Sequence, residues 1–287
     1  MRAQGLLSEP GAVQPADHVC WTYEDVDSFA PVARQFLAGG LARGERLLCV
    51  GDDVVDRIRR GVEPLADVDA LLDRGALELL PLGDAYDSTA GFAPEQQLTF
   101  YEAATRRARA DGHRGIRVVA DVTALAADPG RRADLLRWEH LADDFMASGS
   151  GMSAMCAYRS SVLDAGVVVD AASVHPVVHA PGGAPPFRVF FDDGRVAVAG
   201  EVDAVGAARL RRVLATSCAD RSAVTLDLSR VEFVDVAGCR LVAEWARGLR
   251  DRSAEPRLTG TSPLFRRMWR LLRFDELTGV SPEGRHA

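Results

Sequence analysis

The side chains best suited to chemistry in the first part of this sequence are histidines, cysteines and carboxylates. His18 and Cys20 stand two residues apart in an apolar run, so they share one face if the run is a β-strand. Imidazole and thiolate groups bind zinc, and Cys156 or His175 could supply a further ligand. These residues do not have zinc-finger spacing, and buried cysteines commonly act as small hydrophobic side chains. We therefore predict buried structural roles for them and no metal site.

A second group of interest is the acidic turn at residues 23–28, where the first strand meets the first helix. It carries Glu24, Asp25 and Asp27, and it lacks the G-x-x-x-x-G-K-[ST] pattern of a phosphate-binding loop. The chain contains no lysine that could reach a phosphate, and three carboxylates repel a triphosphate unless a metal ion intervenes. A Mg²⁺ site is the alternative, but a solvated helix start is the favoured interpretation. We predict no catalytic residues.

A third group is the turn Asp235-Val236-Ala237-Gly238, which joins an apolar strand to a helix. Asp235 stands where its carboxylate can cap free backbone N–H groups and stabilise the positive end of the helix dipole. Gly238 permits a close approach of another chain segment. Val236 and Ala237 carry no hydroxyl group, so this turn cannot accept a phosphate at those two positions.

The composition is typical of a globular protein and argues against a nucleic-acid-binding one. At 287 residues the chain is long enough for two domains, and its hydrophobic fraction of 47% and charged fraction of 26% are typical of globular proteins. A net charge of −7 and a pI near 5.4 argue against nucleic acid as the main partner. The arginines at positions 266, 267, 270 and 273 have helical spacing that suits a solvated face.

Targeting signals and cysteine usage predict a cytoplasmic location. Residues 1–16 do not have the pattern of a signal peptide, and no apolar run approaches the roughly 18 residues of a membrane span. We predict no membrane partner. The five cysteines are odd in number and form no C-x-x-C pair, as expected of a reduced protein. They stand at positions 20, 49, 156, 218 and 239.

The stretch of proline and glycine at residues 179–186 marks a domain boundary, because it can continue neither a helix nor a central strand. Apolar strand-like runs alternate with helical patterns before it, which predicts a parallel sheet covered on both faces. After it, a hairpin signal at Asp192-Asp193-Gly194 opens a shorter α/β pattern. The predicted organisation is a disordered tail (1–15), a first domain (16–180), a linker (181–186), a second domain (187–281) and a tail (282–287).

A turn with the sequence Gly200-Glu201-Val202-Asp203 is followed by a strand and a second turn at residues 225–238. With these two motifs in this order, the second domain resembles the STAS domains of anti-sigma-factor antagonists. The resemblance implies docking to an anti-sigma factor or a related regulatory protein. The residues implied in partner binding are Gly200, Glu201, Asp203, Asp235, Val236, Ala237, Gly238 and Arg240. Phosphorylated relatives have a serine or threonine after the aspartate, and here Val236 and Ala237 replace it. Three roles for the second domain remain open: an antagonist that can always bind its partner, a module controlled by the first domain, or a dimerisation unit.

The first domain resembles the MEDS sensory family, a RecA/KaiC-like module of methanogen and methylotroph regulators. The matching stretches are residues 18–25, 36–45, 115–118, 138–139, 155–158 and 175–176. The resemblance implies a three-layer α/β fold that senses a small, hydrocarbon-like molecule. Ligands of open parallel sheets bind beyond the carboxyl ends of the strands. The predicted ligand-binding residues are His18, Cys20, Tyr23, Asp52, Asp121, Glu139 and Tyr158.

Together these features predict an α/β chain with a RecA/KaiC-like domain followed by a STAS domain, acting as a cytoplasmic signalling regulator that is not an enzyme. Its cofactor is unknown, and a homodimer is one alternative for its assembly. The alternative function is a degenerate RecA-like nucleotide-binding enzyme with a STAS oligomerisation module. Asp121 and Glu139 are the residues on which that alternative would depend.

Overall fold

The computed structural model describes residues 4–61, 64–65, 67–86, 92–217 and 221–284. The chain divides into two compact units, the first ending at Ala184 and the second beginning at Pro185. Cys218 and the outer residues of the two predicted tails (1–3 and 285–287) lie outside the described residues. None of the described helices is both long and apolar enough to cross a bilayer.

The first unit is built on a seven-stranded sheet in which all strands are parallel. Its strands are β1 (Gly5–Leu6), β2 (His18–Tyr23), β3 (Arg46–Val50), β4 (Leu77–Leu80), β5 (Ile116–Asp121), β6 (Met152–Arg159) and β7 (Val177–His179). Their order across the sheet is β1-β7-β2-β6-β5-β3-β4. Because the central strands are buried on both faces, they appear in the sequence as continuous apolar runs.

Helices cover both faces of this sheet. They are α1 (Val26–Ala42), α2 (Asp52–Arg60), α3 (Val68–Asp73), α4 (Leu82–Ala85), α5 (Pro94–Ala110), α6 (Thr123–Ala127), α7 (Arg132–Ala147) and α8 (Ala165–Ala172). Alternate strand residues enter different cores: Val118 packs in one with Tyr101 and Trp138, whereas Val119 packs in the other with Phe36. These two cores make the domain a three-layer α/β structure and confirm the predicted fold class.

The predicted disorder over residues 1–15 is wrong for part of that segment. β1 pairs with β7, and the amide of Gly5 donates to the carbonyl oxygen of Pro176 at 2.9 Å. Pro10–Ala12 form a single 3-10 turn, and Val13 is buried in the core beside α1. The pairing satisfies backbone groups that β7 would otherwise expose as an edge strand. A strand of two residues has no periodicity from which the sequence could predict it.

The second unit contains a four-stranded mixed sheet in the order β11-β10-β9-β8. Its elements are β8 (Phe187–Asp192), β9 (Arg195–Val202), α9 (Ala207–Ser217), β10 (Ala223–Val234), α10 (Val236–Asp251), β11 (Glu255–Thr259), α11 (Pro263–Leu271) and α12 (Phe274–Thr278). β8 and β9 form an antiparallel hairpin, and the other pairs are parallel. The carboxyl ends of β9 and β10 therefore lie side by side, with Val202 opposite Val234.

A buried ion pair joins β5 to the loop between α1 and β3. The Arg117 side chain is 1% exposed, and its Nε donates to Glu45 Oε2 at 2.6 Å. Its guanidinium lies 4.7 Å from the Phe36 ring centroid. A Cβ atom at Gly40 would come within 2.5 Å of the Arg117 side chain, so the helix leaves this position without a side chain. Burial lowers the pKa of Arg117, and its bond to Glu45 opposes that effect.

Removing one member of this pair leaves a buried charge without its partner. We expect Arg117→Met to reduce the free energy of unfolding by about 3–5 kcal/mol, and Arg117→Met with Glu45→Met to recover much of the loss. Arg46→Met is the matched control, because Arg46 pairs with the exposed Asp111 on the surface and should cost no more than about 1 kcal/mol. Urea denaturation followed by circular dichroism measures all three. An Arg117 variant as stable as the Arg46 variant would contradict the prediction.

Candidate functional site

A cluster of polar side chains lies in the interior of the first domain, on the face of the sheet that α7 covers. β2 and β6 are neighbours, so alternate residues of both strands point to this face. Glu139 and Asp143 are four residues apart on α7, and they share one side of that helix. The cluster consists of the fully buried residues His18, Glu139, Asp143, Cys156, Tyr158 and His175.

The carboxylate of Glu139 is the centre of the cluster. Its Oε1 accepts a hydrogen bond from the Tyr158 hydroxyl at 2.6 Å. Its Oε2 lies 3.1 Å from His18 Nε2 and accepts from the Cys156 thiol at 3.2 Å. His175 Nε2 approaches the same oxygen at 3.4 Å. One buried carboxylate thus contacts groups from β2, from β6 and from the turn between α8 and β7.

Both imidazole rings of the cluster are held by their Nδ1 atoms. His18 Nδ1 lies 3.3 Å from Asp143 Oδ1, and His175 Nδ1 donates to the carbonyl oxygen of Ala171 at 2.8 Å. The two ring centroids are 4.0 Å apart. These contacts turn both Nε2 atoms toward Glu139.

Burial and neighbouring charges set the protonation of the cluster. Burial alone would raise the pKa of Glu139, but the nearby imidazoles of His175 and His18 outweigh it, so the pKa is lowered. Burial opposes protonation of His18, yet its contacts with Asp143 and Glu139 raise its pKa. Burial and the charge of His18 lower the pKa of His175. Burial and then Glu139 raise the pKa of the Cys156 thiol. The arrangement favours a charged His18, a neutral His175 and a protonated thiol.

The predicted ligand-binding residues fall into two groups rather than one. His18, Cys20, Glu139 and Tyr158 lie in the interior, where Cys20 stands opposite Cys156 in the sheet. The sequence predicts Glu139 and Tyr158 near the carboxyl edge of the sheet, but neither side chain reaches solvent. Asp143 is not among the residues predicted from the sequence, although its spacing of four from Glu139 on a predicted helix is a usable signal.

Tyr23, Asp52 and Asp121 form the second group, at the carboxyl edge. The Tyr23 hydroxyl donates to Asp121 Oδ2 at 2.6 Å, and Asp121 Oδ1 accepts from the amide of Thr123 at 3.1 Å. Asp52 is exposed, and its Oδ1 accepts from the amide of Leu82 at 3.1 Å. Both carboxylates therefore accept from the amide of a residue that begins a helix, Leu82 of α4 for Asp52 and Thr123 of α6 for Asp121.

A groove of about 740 Å³ opens beyond the carboxyl ends of β2 and β7. Its walls include Trp21, Tyr23 and Val168, and the Trp21 ring stacks on His179 with 3.7 Å between centroids. The acidic turn at residues 23–28 borders the groove, and Asp25 caps α1 by accepting from the amide of Ser28 at 2.8 Å. This size lies within the range of small-molecule sites.

In the second domain, two acidic turns meet at the carboxyl ends of β9 and β10. Asp203 Oδ1 accepts from the amide of Gly206 at 2.7 Å. Asp235 caps α10, since its Oδ1 accepts from the amide of Gly238 at 2.8 Å. The other oxygen of Asp235 accepts from the amide of Ala204 at 2.9 Å. This last bond joins the two sequence motifs directly.

The predicted partner-binding residues differ in accessibility. Glu201, Val236 and Arg240 are exposed, with Val236 at 44%, and Asp203, Asp235 and Ala237 are half-buried. The two glycines have structural roles. Gly200 has φ of +100°, and a Cβ there would lie 2.5 Å from the carbonyl oxygen of Pro186. A Cβ at Gly238 would lie 2.8 Å from Val234 and 2.9 Å from Val202.

Comparison with protein families gives two matches. Residues 17–176 match the family described as MEDS, the methanogen/methylotroph, DcmR sensory domain. Residues 189–279 match the family described as Mlab, STAS domain. A search of curated proteins finds no match. The two families and their order are those that the sequence motifs predicted.

Loss of the Asp235 carboxylate removes acceptors for two backbone amides. We expect Asp235→Ala to reduce the free energy of unfolding by about 1–2 kcal/mol. Asp251→Ala, at the other end of α10, is the control, and a change below about 0.5 kcal/mol is expected there. Thermal unfolding of the full chain compares the two variants. If Asp235→Ala lowered the free energy of unfolding no more than Asp251→Ala does, the prediction would be contradicted.

Proposed function

Because this chain belongs to the MEDS sensory-domain family and carries a STAS domain after it, we propose that it couples binding of a small molecule to docking of a regulatory protein. The pair of domains indicates a signalling or regulatory role. The proposed protein partner is an anti-sigma factor or a related regulator, and such a partner would place the chain in the cytoplasm. In this proposal the chain catalyses no reaction.

The observation that carries the docking proposal is the hydrogen-bonded turn at Asp235 and Val236, in which Asp235 is half-buried and Val236 is exposed. The Asp235 carboxylate binds backbone amides on both sides, so the turn is ordered before any partner arrives and little conformational entropy is lost on docking. Phe233, two residues before Asp235, is 49% exposed, and Leu264 on α11 is 59% exposed. Both line an apolar cleft of about 250 Å³. Exposed apolar surface of this kind is typical of protein-binding sites.

The chemistry of the turn favours control by the first domain. A phosphate at such a turn would add up to about two negative charges beside Asp235 and repel a partner. Val236 and Ala237 cannot accept that phosphate, because they have no hydroxyl group. We infer that a ligand of the first domain supplies the control. It would do so by binding preferentially to one of two domain arrangements and shifting their populations.

The groove of the first domain is the proposed ligand site. Its aromatic and aliphatic walls suit a small apolar molecule, consistent with the hydrocarbon-like ligands that the family resemblance implies. The Tyr23 hydroxyl is already bonded to Asp121, so this hydroxyl is satisfied without a ligand. Burial and the charge of Asp121 raise the pKa of Tyr23, which keeps that hydroxyl protonated.

The contacts of Asp121 and Glu139 favour this regulatory role over nucleotide hydrolysis. Asp121 binds Tyr23 and begins α6 through the amide of Thr123. Glu139 is completely buried and surrounded by its own hydrogen-bond partners. Both carboxylates thus act within the fold.

A charge at the centre of the turn should abolish docking. We expect Val236→Asp to reduce recovery of a sigma-regulatory protein by about tenfold or more when the full chain is used to capture partners from its source cells. Val162→Asp is the matched control, because Val162 is 57% exposed and belongs to the first domain. Mass spectrometry identifies the captured proteins. Failure to capture such a regulator, or equal capture by both variants, would contradict the proposal.

A larger side chain in the groove should block the proposed ligand. We expect short-chain alkanes or alcohols to change the fluorescence of Trp21 in a saturable way, and Val168→Phe to weaken that binding about tenfold or more. Val205→Phe, at an exposed position of the second domain, should leave it unchanged. The fluorescence change should be absent in Trp21→Phe, which would show that it comes from Trp21. Saturable binding that survives Val168→Phe would place the ligand elsewhere.

A further inference from the structure

We propose that His18, Glu139, Cys156 and His175 bind one divalent transition-metal ion of the zinc type. Their ligand atoms all lie within 4.8 Å of one another in the interior of the first domain. This site is separate from the groove and from the docking turn, and the inference does not depend on either function proposed for them.

The donor atoms are those that zinc prefers. The four side chains offer two imidazole nitrogens, one thiolate sulfur and one carboxylate oxygen. Zinc in structural sites is bound by four such ligands in tetrahedral geometry, without an open position. Calcium and magnesium prefer sets of oxygen ligands, so this mixture of nitrogen and sulfur selects a softer ion.

Four of the six separations between donor atoms are close to those around a tetrahedral ion. Zinc bonds of about 2.0–2.3 Å place nitrogen, oxygen and sulfur ligands about 3.3–3.6 Å apart around a tetrahedron. Glu139 Oε2 lies 3.1 Å from His18 Nε2 and 3.4 Å from His175 Nε2. Cys156 Sγ lies 3.2 Å from the same oxygen and 3.5 Å from His18 Nε2. The two remaining separations, from His175 Nε2 to His18 Nε2 and to Cys156 Sγ, are within 4.8 Å, so the four side chains would have to draw together by up to about one ångström around the ion.

The surrounding hydrogen bonds orient the donors as they do in known metal sites. Metal-binding histidines usually donate their second ring N–H to a carboxylate or a backbone carbonyl. Asp143 has this position at His18 Nδ1, and the carbonyl of Ala171 has it at His175 Nδ1. The Tyr158 hydroxyl holds the other oxygen of Glu139. The Nε2 atoms of both histidines therefore point toward Glu139 Oε2.

His175 provides the observation that the cluster alone does not explain. Its Nδ1 carries the proton that is donated to Ala171, so a neutral ring presents a lone pair at Nε2. That Nε2 is fully buried and makes no hydrogen bond to any described residue. It faces Glu139 Oε2, which is also an acceptor, at 3.4 Å. A cation between the two atoms would satisfy both, and buried polar groups without partners are rare.

Metal binding leaves the buried charge unchanged. The ion brings two positive charges, while the thiol proton of Cys156 and the Nε2 proton of a charged His18 leave. Asp143 and Tyr158 keep their hydrogen bonds. Because the site is sealed from solvent, the ion would enter as the domain folds, and its binding would contribute to folding stability.

The test uses the full chain, produced without an affinity tag in minimal medium that contains Co²⁺ in place of zinc. We expect close to one cobalt ion per chain by elemental analysis. The absorption spectrum should show the intense visible bands of tetrahedral Co²⁺ and a near-ultraviolet band from thiolate-to-metal charge transfer. Protein that folds and contains no bound cobalt or zinc would overturn the proposal without the need for any variant.

Two cysteine variants identify the thiolate. Cys156→Ser should lose the charge-transfer band. Cys49→Ser should keep it, because Cys49 is equally buried but packs in the core on the other face of the sheet. A band that persists in Cys156→Ser, or that disappears in both variants, would overturn the assignment. Each of these outcomes leaves the docking and groove proposals as they stand.

Discussion

The interior of the first domain depends on one constraint, the burial of the Glu139 carboxylate. A buried charge is costly unless it is paired and hydrogen-bonded, and removing one partner of such a group is strongly destabilising. The partners of Glu139 come from separate parts of the chain: His18 from β2, Cys156 and Tyr158 from β6, and His175 from the turn before β7. Those elements must therefore keep one relative position for the carboxylate to remain satisfied.

The MEDS sequence stretches converge on two interior places. Four of them supply the cluster around Glu139, and the other two (residues 36–45 and 115–118) build the buried pair of Glu45 and Arg117. β2 connects the cluster to the groove. Its alternate residues place His18 on the cluster side, while Trp21 lines the groove. A ligand in the groove would thus touch a strand whose other face is fixed by Glu139.

Long elements with a clear hydrophobic period were predictable from the sequence. Elements whose formation depends on tertiary contacts were not. The apolar runs of β2 to β6 and the helical period of α5 are strong local signals. β1 and β7, with two and three residues, have no period, and they form because each satisfies the other's backbone. At the site, the position of strand ends in the sequence predicts Tyr23 and Asp121 at the carboxyl edge, but it does not predict the hydrogen bond that joins them. The rotation of α7 about its axis, which turns Glu139 and Asp143 inward, is set by packing and is not encoded in spacing alone.

Hydrogen exchange of the full-length Glu139→Gln variant, measured peptide by peptide with mass spectrometry, tests the central role of this carboxylate most directly. If the carboxylate joins the three elements, the peptides that contain His18, Cys156 and His175 will all exchange faster than in the unmodified protein. If only the peptides of α7 exchange faster, Glu139 stabilises its own helix alone and does not join β2, β6 and the turn before β7.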